Sequence, residues 1–575
     1  MKTKKLNPIF LIFCLAVFGL ILFVPNKASL QVTRPEPPPP VDLGAAAVEK
    51  DVLNPKIEYV LGKLYNIYLT QGADAAREFA SMRGIDLDGN QVRVVAESVF
   101  ANRTQNLFPE AAALKAHIQA IGGKVETTAD NLVQSMVPIS SVELLSQYPL
   151  VGYLRLPFKP VAMEVTSEGV NSTSANLWQS LIPYRNTAGA NVCVLDLGFS
   201  GYTSLLGTEL PSSVKTMSFR SDGSLTASEV HGTACAEIIH DMAPNAALTL
   251  VNFNTDVEHR NAVNWIANQT PKIDVISYSI GWYNVSDGKG TGPICADVDR
   301  AANSGIVWVS AAGNDALDHF EGTFNDPDGD RWYNFPDGSE IEAFYVPAYY
   351  LVAAFLNWDD WGTWSGTSYS GSSNDYDLYL YYKSTTSNTW YLADYSLGIQ
   401  NGTQRPRESI GYWYSTASRW WGVGIYKWSA TRACKMELFT MGNSGAINNN
   451  VPAGSLLVPA DSASAVAVGA VDWSDDSREP YHTYSSQGPT HDNRIKPDLS
   501  APSRVSCSST TYGNLGFSGT SAATPHVAGA IALLKEKIPF TLEQIYQVLE
   551  GRAKDLGTAG KDNIYGAGSL KLTKN

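Results

Sequence analysis

Cysteine is scarce in this chain: there are six in 575 residues, and Cys14 lies in the first apolar run. The other five, Cys193, Cys235, Cys295, Cys434 and Cys507, form an odd and widely spaced set, which excludes a disulfide framework as the source of stability. Positive charge is also in deficit, with 42 Lys and Arg against 56 Asp and Glu and a formal net charge of -14. That balance excludes nucleic acid and anionic membrane as partners, because both are bound through basic residues that displace counterions. Beyond residue 25 no stretch is long and apolar enough to cross a bilayer. Only the start qualifies for targeting: Met1-Lys2-Thr3-Lys4-Lys5 precedes the apolar run Pro8 to Pro25. Residues 1–29 read as an export signal cut near Asn26 to Ser29, or as a membrane anchor if left uncleaved.

What is present is apolar content of 44%, enough for real cores in a multi-domain globular protein. Residues 30–54 contain Pro37 to Pro40 and predict an extended tether without a core. Over 55–160 the patterning predicts one or two helices in Ile57 to Phe79, a strand at Val92 to Glu97 and a helix at Ala111 to Ile121. Strands near Lys124 to Glu126 and Leu132 to Pro138, a helix at Ser140 to Gln147 and a strand at Val151 to Leu156 follow. The order strand, helix, two strands, helix, strand is that of a ferredoxin-like α+β unit.

Four strings beyond residue 160 carry polar residues at the ends of apolar elements. Ala190 to Gly198 is a β-rich run ending in Asp196, at the edge where open parallel sheets place ligands. His231-Gly232-Thr233-Ala234-Cys235-Ala236 opens a helix, with Met242-Ala243-Pro244 behind it. Cys235, one turn after His231, is expected in the core, whereas His240 and His259 are expected in solvent. Ile306 to Ala312 is a strand followed by Gly313 and Asn314. Gly519-Thr520-Ser521-Ala522-Ala523-Thr524-Pro525-His526-Val527-Ala528-Gly529 puts a serine where a loop becomes a helix, with Thr520 and Ser521 as capping types and Pro525 in the first turn. Spacing alone fits an ordinary buried helix with a capping serine equally well.

Taken as full strings in this order, these segments resemble the subtilisin-like serine peptidases (subtilases). The resemblance implies a three-layer α/β fold on a parallel sheet, over 161–320 and 451–575. It also implies Ser521 as nucleophile, His231 as general base and then acid, Asp196 orienting His231, and Asn314 with the Ser521 N–H holding the oxyanion. Leu197 departs from the Ser or Thr usual after the Asp. Ser279-Ile280-Gly281 and Ala311-Ala312-Gly313 would bind an extended substrate. Val458-Pro459-Ala460, Tyr484 to Pro489 and Lys496 to Pro502 continue the likeness. The N-terminal unit then corresponds to an inhibitory propeptide, cut off by the enzyme between about Phe158 and Glu168. Expected partners are protein or peptide substrates and the chain's own propeptide, and the expected location is outside the cell. The chemistry needs no cofactor.

The interval between Asn314 and Ser521 is longer than the family usually has. The excess, residues 321–450, alternates aromatic and polar residues with frequent turns and predicts an inserted antiparallel β-sandwich. Asp326, Asp328 and Asp330 place oxygens on alternate residues as calcium loops do, without the downstream Glu of an EF-hand, so calcium would be structural only. Two further classes explain parts of the sequence: a binding protein on an inactive peptidase scaffold, and a carbohydrate-binding or adhesive protein working through the aromatic insertion.

Overall fold

The computed structural model describes residues 54–83, 85–98, 109–158, 161–162, 168–181, 189–479, 482–508, 512, 516–538 and 541–573. The export segment and the proline tether lie outside the described residues. The N-terminal unit contains α1 (Tyr59–Gln71), α2 (Ala73–Met82), β1 (Gln91–Ser98), α3 (Pro109–Ala120), β2 (Lys124–Ala129), β3 (Leu132–Pro138), α4 (Val142–Ser146) and β4 (Val151–Arg155). Its sheet is antiparallel in the order β2-β3-β1-β4, the ferredoxin-like arrangement. Alternation along β1 turns Val92, Val94 and Ala96 onto Leu61, Leu64 and Ile118. A short strand follows, β5 (Val161–Ala162).

The next elements are β6 (Asn191–Asp196), β7 (Lys215–Ser218), α5 (His231–Met242), β8 (Ala247–Asn252), α6 (Asp256–Ala267), β9 (Val275–Tyr278), β10 (Ile280–Gly281), α7 (Pro293–Asn303) and β11 (Val307–Ala311). An insertion then adds β12 (His319–Thr323), β13 (Glu342–Val346), β14 (Leu351–Trp358), β15 (Asp375–Lys383), β16 (Trp390–Ser396), β17 (Arg407–Tyr414), β18 (Arg419–Ser429) and β19 (Lys435–Met441). The chain returns through β20 (Ala465–Asp472), β21 (Leu499–Ser503), α8 (Thr520–Lys537) and α9 (Leu542–Arg552).

β21-β20-β11-β9-β6-β8-β7 form one parallel sheet. Apart from the partly exposed edge strand β7, its strands are buried on both faces. Ile238 and Ile239 of α5 and Val527, Ile531 and Leu534 of α8 cover one side, and Ala262 and Val263 of α6 and Ile294 and Val298 of α7 cover the other. The strand order reverses beside β6, which opens a crevice at its carboxyl end. The insertion is two antiparallel sheets, β12-β19-β14-β17 and β13-β18-β15-β16, closed over Phe320, Trp358, Tyr376 and Trp421. Its aromatic alternation is therefore chiefly core. Cys193, Cys235, Cys295, Cys434 and Cys507 are all free thiols.

Candidate active site

Asp196 is the last residue of β6 and is fully buried at the crevice. Its carboxylate accepts the His231 Nδ1–H at 2.8 Å on Oδ2 and 2.9 Å on Oδ1, and the Leu197 N–H at 2.7 Å. The carboxylate thus places the proton on Nδ1 and leaves Nε2 as the basic nitrogen. His231 begins α5, which can close on β6 only because residue 232 is glycine. A Cβ there would stand 2.6 Å from the Gly198 carbonyl oxygen and 2.9 Å from the Asp196 Cβ. Glu229 accepts the His231 backbone N–H at 3.1 Å and so caps the helix start. The edge of the His231 ring meets Phe517, with centroids 5.7 Å apart.

Ser521 is the second residue of α8. The expected side-chain capping is not realised: Gly519 holds the cap position, and Thr520 Oγ1 donates to Asn314 Oδ1 at 3.1 Å while accepting the Gly313 N–H at 3.3 Å. Pro525 sits in the helix interior rather than its first turn, at the position whose missing N–H would have bonded the Ser521 carbonyl. That carbonyl instead accepts the Ser279 hydroxyl at 3.0 Å and the Cys235 thiol at 3.8 Å. Proline thus frees the acceptor that ties the serine helix to both the histidine helix and the β9–β10 edge. The Ser521 hydroxyl donates to the Ser279 carbonyl at 3.2 Å, so delivery of its proton to His231 requires the hydroxyl to turn away from that carbonyl.

Asn314 follows β11, and its Oδ1 accepts the Thr520 N–H at 2.9 Å. A backbone N–H can only donate, so the acceptor must be the amide oxygen, and the Nδ2 donors face the opposite way. The Ser521 N–H belongs to a first helical turn, where amides have no acceptor inside the helix. The Asn314 amide and the Ser521 N–H are thus both tied to the start of α8.

Of the expected substrate-binding residues, Ile280 and Gly281 are paired with a peptide strand: Ile280 opposes Ala162 and Gly281 opposes Val161 in antiparallel register. Ser279 bridges to Ser521 as above. Ala311, Ala312 and Gly313 are buried, and both backbone groups of Ala312 are used internally, by Val468 and Leu457, at 3.0 Å each. That stretch forms a wall rather than a pairing edge. Further along the chain, Gly169 packs against α8, where a Cβ would fall 1.8 Å from His526 Nε2. Neither this contact nor Glu229 was signalled by any motif.

Cys235 is buried as expected, and burial pushes its thiol pKa well above the ordinary value, which keeps it protonated. His259 contradicts its expected exposure: it is fully buried among Phe253, Tyr278, Trp282 and Trp308, with Nδ1 3.0 Å from Asp297 Oδ2. Asp297 also takes the Arg260 Nε–H at 2.6 Å, so this second His–Asp pair is part of a core ion pair. In the acidic loop, one oxygen each from Asp326, Asp328 and Asp330 lies within 4.8 Å of the others. Asp326 Oδ2, however, accepts Lys427 Nζ at 2.8 Å, and Oδ1 accepts the Gly329 and Arg331 amides at 2.8 and 3.3 Å. One ammonium thus offsets one of the three carboxylate charges and already occupies an oxygen that a cation would need.

A family model described as the subtilase family matches residues 187–351 and 395–568. The chain is 39% identical over 141 residues to Subtilisin Savinase of Lederbergia lenta, a stretch covering 24% of this chain and 45% of that protein. It is 32% identical over 173 residues to Alkaline elastase YaB of Bacillus sp. (strain YaB), covering 30% and 36%. The chain thus spans less than half the length of these relatives. Among solved structures, the CspB protease of Clostridium perfringens aligns with a TM-score of 0.47 at 14% identity, over 70% of this chain and 97% of that one. The segments matched by the family model make up more than half of the sequence and contain Asp196, His231, Asn314 and Ser521, and on that ground the chain belongs to the subtilase family.

Proposed function

We propose that this chain is an exported serine endopeptidase made as a self-processed precursor. Ser521 Oγ attacks the scissile carbonyl carbon while His231 Nε2 takes its proton, and Asp196 steadies the imidazolium through Nδ1. The tetrahedral oxyanion receives the Asn314 Nδ2–H and the Ser521 N–H. Collapse expels the amine, which takes the proton from His231. Water activated by the same imidazole then releases the acyl group. Residues 1–29 would direct export, and among the described residues no helix is long and apolar enough to cross a membrane.

The observation that carries this reading is the course of the chain itself. Val161–Ala162 lies as a strand on β10, whose neighbour Ser279 bonds Ser521, and Gly169 lies on α8 beyond the serine. A cleft that holds an extended peptide alongside Ser521 is suited to peptide bonds and to cleavage of its own precursor just after Ala162. Ser521→Ala tests it: casein cleavage should vanish and the precursor should accumulate uncut. Wild-type protein should yield a new amino terminus between residues 163 and 168. Undiminished casein cleavage by the Ser521→Ala protein would refute the assignment.

A further inference from the structure

The precursor strand does not stop at the β10 edge, and what lies beyond it belongs to the insertion. Phe158, three residues before Val161, is 8% exposed. Its ring lies under three guanidinium groups, with Cζ of Arg155, Arg407 and Arg405 at 4.0, 4.5 and 5.5 Å from the centroid. Its backbone N–H donates to Asp256 of α6 at 3.2 Å. Arg155 is part of the N-terminal unit, whereas Arg405 and Arg407 come from the insertion, at the entry to β17.

The insertion holds these two arginines in a fixed relation to the peptide-pairing edge. Asn284, three residues after Gly281, donates its amide to the Leu356 and Glu408 carbonyls at 3.0 and 2.9 Å, and its own carbonyl accepts Arg407 Nη1 at 3.3 Å. In the precursor Arg405 pairs with Glu97 at 3.2 Å and Arg407 with Glu58 at 3.1 Å. Both acids belong to the N-terminal unit. Loss of that unit would leave two planar cations, anchored to the β10 side of the cleft, facing the place where the aromatic ring lay.

We propose that Arg405 and Arg407 form a distal substrate subsite that takes an aromatic side chain three positions before the residue opposite Gly281. The inserted sandwich thereby takes part in substrate selection. This rests on the peptidase reading above. A guanidinium stacked on a ring in a desolvated site favours aromatic over small residues by cation–π attraction and by apolar contact.

The test uses the self-processed wild-type enzyme and three peptides: residues 156–168 as they stand, the same peptide with alanine at the position of Phe158, and a short one starting at Pro160. The phenylalanine peptide is expected to be cleaved with about tenfold higher kcat/KM than the alanine peptide. Arg405→Ala/Arg407→Ala enzyme should cleave those two alike and the short peptide at the wild-type rate. If that variant does not mature, Arg405→Lys/Arg407→Lys keeps the charges for Glu58 and Glu97 but loses the flat faces, and its aromatic preference should fall severalfold. Equal rates on the two long peptides by wild-type enzyme, or a preference that survives in the variant, overturns the subsite while leaving the peptidase intact. Failure to cleave even the short peptide refutes both.

Discussion

Arg155→Ala should convert a firmly held N-terminal unit into one that leaves readily. In the full chain the Arg155 guanidinium grips Asp256 through Nη2–Oδ2 at 2.6 Å and Nη1–Oδ1 at 3.4 Å, and holds Glu97 through Nε at 2.6 Å. The Arg155 and Asp256 side chains are each only 2% exposed. Removal of the arginine leaves Asp256 with the Phe158 N–H, a buried charge short of its counter-ion, at a cost of about 3 to 5 kcal/mol. When the unit departs Asp256 regains water, so the whole penalty falls on the complex. Retention should weaken by roughly two to four orders of magnitude. The assay is the lag before casein hydrolysis after self-cleavage, together with co-elution of the cut unit in gel filtration. Arg155→Ala should abolish both. Arg155→Ala/Asp256→Asn, which removes the stranded charge, should recover part of each. An unchanged lag in the single variant, or a double variant held no better than the single, would refute the reasoning.

Acid should act at the same interface. Burial opposes ionisation of Glu97, but Arg405, Arg155 and Arg407 override it and bring its pKa down to about 2 from 4.5. Its contribution is therefore complete above pH 4.5 and is lost as pH falls towards 2, so release of the unit should accelerate over that interval in a stopped-lag assay. Asn314→Leu should lower kcat by about 10²- to 10³-fold with little change in KM, a magnitude established for the oxyanion asparagine of subtilisin and carried over here, read from steady-state kinetics. His491 Nε2 lies 3.3 Å from both Glu321 and Glu437; burial opposes its charge, but the two carboxylates raise its pKa to about 11. His491→Ala should cost about 3 kcal/mol, seen as a lower denaturant midpoint in the Ser521→Ala background; this stabilisation is complete below pH 6.5, lost as pH rises through about 11, and largely restored by Glu437→Gln. Asp328→Asn should change the Tm equally in calcium and in EGTA, because Lys427 already occupies the Asp326 oxygen that a cation would need.

What could be read from the sequence was whatever a local string encodes. β6 ending in Asp196, α5 opening on His231 and α8 carrying Ser521 follow from apolar runs punctuated by glycine and small residues, and the strand order of the N-terminal unit follows from periodicity and the Gly122-Gly123 break. The errors arose where a residue's state depends on distant partners. His259 is flanked by polar neighbours and reads as exposed, yet Asp297 and four aromatic rings enclose it. Thr520 has the chemistry of a cap, but Asn314, some two hundred positions earlier, engages its hydroxyl. The alternate spacing of Asp326, Asp328 and Asp330 likewise gives no sign of Lys427, which pairs with Asp326 from a distant strand.

The same reasoning explains why the role of the insertion was the least legible part. A β-sandwich announces its own core through alternation, because Trp358, Tyr376 and Trp421 pack with one another. Its outward chemistry lies in Arg405 and Arg407 at the entry to β17 and Asp394 of β16, charged residues that read as an ordinary solvated face. Their counterparts are Glu97, Glu58 and Arg83 of the N-terminal unit, about three hundred positions away. Each pair satisfies the charge rule that an ion leaving water needs a partner, but no local pattern names that partner. The insertion, the β10 edge through Asn284, and the precursor strand through Phe158 therefore form one connected surface, whose purpose is visible only when all three are in place. A domain inserted between Asn314 and Ser521 is well sited for this: it leaves the parallel sheet unbroken while setting new side chains beside the β10 edge.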